Sequence, residues 1–139
     1  MTTRPGRSGI VAALLACLIA ACVSRLPDQD RRIHDEVAIA KMSAADLWRD
    51  FDEDPAGARA RYWGQAIEVS GTPTEVGGGA PGGFYLLFVE TGAFGVRANL
   101  LDDDAATIVE SAGDGTRLTL KCYCDGLDGH VVLRSCVTP

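Results

Sequence analysis

Long apolar runs, cationic charge and catalytic side chains are what this sequence of 139 residues is short of. The apolar stretch from Ile10 to Ala21 is about a dozen residues, whereas a helix that crosses a bilayer needs ~20. Lys and Arg number 13 against 19 Asp and Glu, a formal charge of −6. Phosphate backbones carry the same sign, so general nucleic-acid binding is not expected unless cations gather on one face. The two histidines, His34 and His130, have no nearby Ser or Cys in a nucleophile arrangement. The acidic pairs fall in caps and loops. No catalytic residues and no enzymatic activity are expected. Gly77-Gly78-Gly79-Ala80-Pro81-Gly82-Gly83 lacks the Lys-Ser/Thr of a phosphate-binding loop, and no helical pattern follows it. Asp102-Asp103-Asp104 lacks the glycine and distal Glu of an EF-hand. It precedes a helical pattern, where acids favour the N-terminal turn. No metal and no cofactor are expected.

What is present at the start is a leader. Arg4 and Arg7 precede the apolar run, which ends in Ile19-Ala20-Ala21-Cys22. A charged head, a short apolar middle and small residues at the end make a secretory signal. Ile19-Ala20-Ala21-Cys22 also resembles the bacterial lipobox, which implies that the Cys22 thiol receives a diacylglycerol and the chain is cut before it. Each buried lipid methylene contributes about 0.8 kcal/mol, so two or three acyl chains hold a protein stably. The expected divisions are a signal peptide over 1–21, a flexible tether over 22–42 and a folded domain over 43–139. Removing 21 of the 139 residues leaves 118, one domain's worth of chain. Losing Arg4 and Arg7 takes the charge from −6 to −8. The expected location is the periplasm-facing cell envelope. Val23, rather than Asp, after the Cys favours the outer membrane in a Gram-negative cell.

The tether carries Pro27, Asp28, Asp30, Arg31, Arg32, Asp35 and Glu36 and too little apolar mass to order itself. The alternative is that Ile33, Val37 and Ile39 extend the next element. Ser43 is a good N-cap, and Leu47, Trp48 and Phe51 follow helical spacing. Asp54-Pro55 caps and opens a second short helix to about Tyr62. Helical spacing makes the aromatics core residues rather than base-stacking ones. Ala66–Gly71 alternates as a half-buried strand, bends at Gly71 and Pro73, and continues through Val76. Strands are expected at Phe84–Glu90 and Phe94–Leu100, a helix after the aspartates, and strands at Arg117–Cys124 and from Val131 to near Val137. Five strands with a helix between the third and fourth is the order of the OB-fold, a small closed Greek-key barrel. The predicted fold is therefore a mainly β, five-stranded barrel preceded by a helical segment.

These pieces resemble the tRNA-anticodon-binding-like OB-fold domains of bacterial secreted proteins and lipoproteins. The resemblance rests on Tyr62-Trp63-Gly64-Gln65, Ile67-Glu68-Val69-Ser70-Gly71, and Leu118 to Gly126 running to Val131-Val132-Leu133-Arg134-Ser135-Cys136. It implies an OB barrel and no established activity. Cys122 stands where the family pattern usually has Gly, and Arg97-Ala98-Asn99 lacks a Cys that many members carry.

Cys122, Cys124 and Cys136 remain after the leader, an odd number for an oxidising compartment. One disulfide with a buried free thiol is the favoured reading. The resemblance points to Cys124 with Cys136, with Cys122 as the alternative partner. A tight hairpin sets Cys124 opposite residues near 131, so that pairing needs a bulge at Arg134-Ser135 or closure across the barrel end. A zinc site from Cys122, Cys124, His130 and Cys136 and a redox role are the alternatives. OB barrels bind on the face of their second and third strands. The candidate ligand contacts are Tyr85, Arg97, Lys121 and Tyr123. The expected function is a lipid-anchored, non-catalytic module binding an envelope protein or small ligand. Binding of single-stranded nucleic acid or oligosaccharide on the same face is the alternative.

Overall fold

Ser43 ends one element and starts the next. In the computed structural model, which describes residues 28–79 and 83–139, the Ser43 hydroxyl accepts from the Asp46 N–H at 3.0 Å. That bond caps helix α1, Ala44–Glu53. The leader, Cys22, the first part of the tether and the centre of the glycine-rich loop lie outside the described residues. Leu47 and Phe51 of α1 are fully buried, each contributing about 2–3 kcal/mol by leaving water. Asp54 closes α1 through its N–H to Asp50 O, 3.1 Å. It also opens α2, Pro55–Tyr62, by accepting from the Gly57 N–H at 3.1 Å. The Tyr62 hydroxyl donates back to Asp50 Oδ2 at 2.8 Å, which ties the two helices together.

Seven strands follow in one mixed sheet: β1 Lys41–Ser43, β2 Ala66–Gly71, β3 Glu75–Gly79, β4 Gly83–Thr91, β5 Phe94–Leu100, β6 Leu118–Asp128 and β7 His130–Val137. The hydrogen-bonded order is β1-β2-β6-β7-β5-β4-β3. Pairs β1–β2 and β5–β7 are parallel; the others are antiparallel. Helix α3, Asp102–Gly113, lies between β5 and β6 and buries Ala105, Ile108 and Ala112. Asp102, Asp103 and Asp104 form its first turn, where the helix dipole favours them.

The strand count departs from the expected five for two reasons. The first predicted strand breaks at Thr72-Pro73-Thr74, since proline lacks an N–H to give the ladder. Its halves take different partners: β2 pairs with β6, and β3 pairs with β4. The short β1 adds an edge strand beside β2. Strands β1 and β3 are the two ends of the hydrogen-bonded order, so the ladder is open, not the closed barrel expected. The sheet still wraps one core: a Cβ built on Gly71 of β2 would sit 2.9 Å from Cδ1 of Phe88 on β4. Gly77–Gly79, expected as loop, pair with Tyr85, Phe84 and Gly83 as part of β3. Strand β6 likewise runs past its expected end to Asp128, which pairs with His130.

Within the stretch read from the sequence as tether, residues 28–36 lie against the outer side of β6 and β7, and Ile39 to Lys41 run along the edge of β2. Arg31–His34 form a 3-10 turn that buries Ile33 with Ala66, Leu101, Tyr123 and Val137. Asp30 is buried and holds Arg32 through two oxygens, the shortest contact being 2.7 Å. That pair holds the Asp30 carboxyl below its usual range, chiefly through the Arg32 hydrogen bond. One buried side chain and a local ion pair order a stretch whose composition looked solvated.

Strand β7 carries the key irregularity. Lys121 faces Val137 and Tyr123 faces Arg134, so Cys122 on β6 opposes both Ser135 and Cys136. This β-bulge puts Ser135 at φ 54°, the only non-glycine with positive φ among the described residues. Such a conformation costs roughly 1–2 kcal/mol. Its hydroxyl offsets part of that cost, donating to Asp28 O at 2.6 Å and accepting from the Asp30 N–H at 2.9 Å.

Candidate ligand-binding face

The bulge decides the cysteine pairing. It turns Cys136 inward opposite Cys122, at a Cα separation of 4.3 Å, and these two form the disulfide. A non-hydrogen-bonded antiparallel pair has about this spacing. The pairing of Cys124 with Cys136 is thereby corrected: Cys124 faces Leu133 and is a buried free thiol. Burial pushes its pKa up to about 11, so thiolate chemistry is suppressed there. The zinc alternative fails on the same bond, because two of its four sulfur and nitrogen ligands are consumed by each other. The fourth, His130, sits at the hairpin tip, where its Nδ1 accepts from the Gly95 N–H at 3.2 Å and its ring lies 5.6 Å from Phe94. Among the described residues, no group of three or more Cys, His, Asp or Glu is placed to hold a metal.

The four candidate ligand contacts fall into two separate places. Lys121 and Tyr123 lie on the outer side of β6, beneath the N-terminal segment. Tyr123 is 4% exposed, and this burial raises its hydroxyl pKa. Arg134 stacks over the ring at 4.9 Å. Lys121 Nζ donates to the carbonyls of His34 and Glu36 at 3.1 and 3.0 Å. Both side chains are occupied by the chain itself.

Tyr85 and Arg97 come together on the outer side of β4 and β5. The antiparallel register sets Tyr85 opposite Asn99 and Leu87 opposite Arg97. Arg97 is thus diagonal to Tyr85 on one face, within reach of long side chains. The guanidinium carbon lies 4.0 Å from the Tyr85 ring centroid. Arg97 Nε donates to Asn99 Oδ1 at 3.1 Å. Asn99 was not among the predicted contacts; its place two residues after Arg97 on a strand is the signal that would have found it. Tyr85 reaches its position because residue 77 has no side chain: a Cβ there would sit 2.2 Å from the Tyr85 Cζ. All three side chains are half-buried. The alternate residues, Leu86, Ala98 and Leu100, fill the core.

A mainly β mixed sheet with a helix between its fifth and sixth strands is an OB-like arrangement. The chain belongs to the tRNA_anti-like family, whose model matches residues 8–137. Among solved structures it is similar to a "putative nucleic acid-binding lipoprotein" from Klebsiella pneumoniae subsp. pneumoniae MGH 78578, at 14% identity and a TM-score of 0.43. That match covers 76% of this chain and 92% of the other. No curated protein matches. Among the described residues, no helix is long and apolar enough to cross a membrane.

Proposed function

We propose that this protein is a lipid-anchored envelope protein whose OB-type domain binds a ligand on the outer face of β4 and β5 and performs no chemistry of its own. The reading is carried by one observation: Arg97 is stacked on Tyr85 and pinned by Asn99, with no carboxylate within 4.0 Å among the described residues. In an acidic chain, a half-buried guanidinium left without a counter-ion is poised for a partner. In this reading β2 and β3 are two halves of one curled first strand, which restores the five-stranded barrel plan. The location rests on the Ile19-Ala20-Ala21-Cys22 leader, and a disulfide between Cys122 and Cys136 supports it, since such bonds persist outside the reducing cytoplasm.

Two measurements test the proposal. Alkyne-tagged fatty acid fed to the producing cell is expected to label the wild type and not Cys22→Ser. Amide chemical-shift mapping with short oligosaccharides, oligothymidylate and small envelope metabolites is expected to locate ligand shifts on β4 and β5. Shifts confined to another surface overturn the face, and labelling that persists in Cys22→Ser overturns the anchor. A second reading, single-stranded nucleic acid on the same face, is favoured by the side-by-side aromatic ring and cation. The chain's net charge of −6 opposes it.

A further inference from the structure

We infer that Arg97 is the receptor for a single oxyanion, a carboxylate or phosphate group on an otherwise uncharged ligand. This inference rests on the reading of the β4–β5 face as the binding surface. Among the described arginines, Arg31, Arg32, Arg49, Arg61 and Arg134 each lie within 4.0 Å of a carboxylate of this chain, and Arg59 and Arg117, which do not, are exposed to solvent. Arg97 does not either, and it is half-buried. Its two contacts are neutral: the Tyr85 ring supports the flat side of the guanidinium, and Asn99 fixes its rotation through Nε. Neither cancels the charge. Both terminal NH2 groups have no protein acceptor among the described residues. A planar cation held on its flat side and at Nε offers two parallel N–H donors, which match the two oxygens of a carboxylate or phosphate.

The preorganisation extends to a backbone position. Gly77 lets the Tyr85 ring lie across β3, so Gly77 is a positioning residue for the Arg97 stack. The face also limits the ligand's charge. Glu75 is level with Leu87 and Arg97 across three neighbouring strands, so it stands two strand spacings, about 9–10 Å, from Arg97. A polyanion that contacted Arg97 would next meet a carboxylate on a domain that is acidic overall. One oxyanion is favoured and a row of them is not.

The experiment titrates the full chain, isotope-labelled, with sodium phosphate, sodium acetate and sodium chloride at matched ionic strength. The readouts are the Arg97 Nε–H and Tyr85 ring resonances. Support is a saturating shift of both with phosphate or acetate and none with chloride. The anion that saturates at lower concentration identifies the source as a phosphate-bearing or a carboxylate-bearing ligand. Arg97→Gln, followed through Tyr85 and checked for an unchanged fold by circular dichroism, is expected to weaken anion binding roughly 10- to 100-fold. Arg97→Lys, which keeps the charge and loses the fork, is expected to fall between. An identical response to chloride, or a silent Arg97, overturns the inference. If Arg97 is silent while an uncharged ligand still shifts β4 and β5, the receptor role is lost and the binding face survives. Tight binding of oligothymidylate with a salt dependence of several phosphates overturns the restriction to one oxyanion.

Discussion

Removing the Cys122–Cys136 bond while leaving Cys124 in place separates the two possible pairings by their energetics. The bridge joins residues 14 apart. Releasing a loop of that length into the unfolded ensemble costs the native state about 3 kcal/mol on the chain-entropy account. The double variant Cys122→Ala/Cys136→Ala should therefore lose about 3 kcal/mol, and its thermal midpoint should fall by roughly 10 °C or more. Cys124→Ala removes one buried sulfur and no cross-link, so it should lose only about 1–2 kcal/mol. The decisive measurement is urea unfolding with and without dithiothreitol. Wild type and Cys124→Ala should each lose about the same stability on reduction. The double variant should be indifferent to reductant. A reductant effect that disappears in Cys124→Ala, or persists in the double variant, refutes the pairing and the bulge that produces it.

Ser135→Gly and Ser135→Ala both delete the hydroxyl bonds to residues 28 and 30. Alanine retains the positive-φ strain and glycine does not, so alanine should be the less stable by about 1 kcal/mol in chemical denaturation. The lowered pKa of Asp30 means that its contribution is present above the unfolded value of 3.8 and is lost as pH falls through the folded one. Asp30→Asn should flatten the stability curve of the wild type below about pH 4. The raised pKa of Cys124, about 11 against a reference of 9.0, has the opposite consequence. Stability is full below pH 9.0 and declines as pH rises toward 11, because the unfolded thiol ionises first. In the native protein, Ellman's reagent at pH 8 should reach Cys124 only at the rate of unfolding; fast reaction would show that the thiol is accessible. Gly77→Val should displace the Tyr85 ring, seen as a change in the Tyr85 ring shifts with little loss of global stability.

Much of the architecture is written in local pattern. Ser43, Asp54 and Pro55 mark helix boundaries through caps that the structure contains. The pattern gives Phe94–Leu100 to the residue and Ala66–Gly71 as the first half of a strand expected to continue through Val76. What escaped the sequence reading is what depends on long-range partners. Residues 28–41 look solvated, and only the hollow formed by Ala66, Leu101, Tyr123 and Val137 gives Ile33 a place to be buried. Lys121 and Tyr123 share the outer side of their strand by parity, and nothing local reveals that the chain's own beginning covers them. The glycines at 77–79 read as a loop by composition but are held in strand pairing by β4. The hairpin of β4 and β5 was legible, and its register alone brings Tyr85 and Arg97 together. The cysteine pairing was not, because a single extra residue changes which side chain faces inward.

That extra residue also separates two roles within one short stretch of the last strand. Ser135 resets the inside–outside alternation of the last strand, so that Arg134 looks out while Cys136 looks in. Loss of its one codon would leave Tyr123 facing Arg134 and Lys121 facing Val137, with Cys136 alone opposite Cys122, so the covalent tie would keep its geometry while the segment that Asp28 and Asp30 fasten to the sheet came unhooked. The bulge therefore serves the polar clasp on the outside of the strand, and the disulfide on the inside needs only that Cys136 and Cys122 stay level.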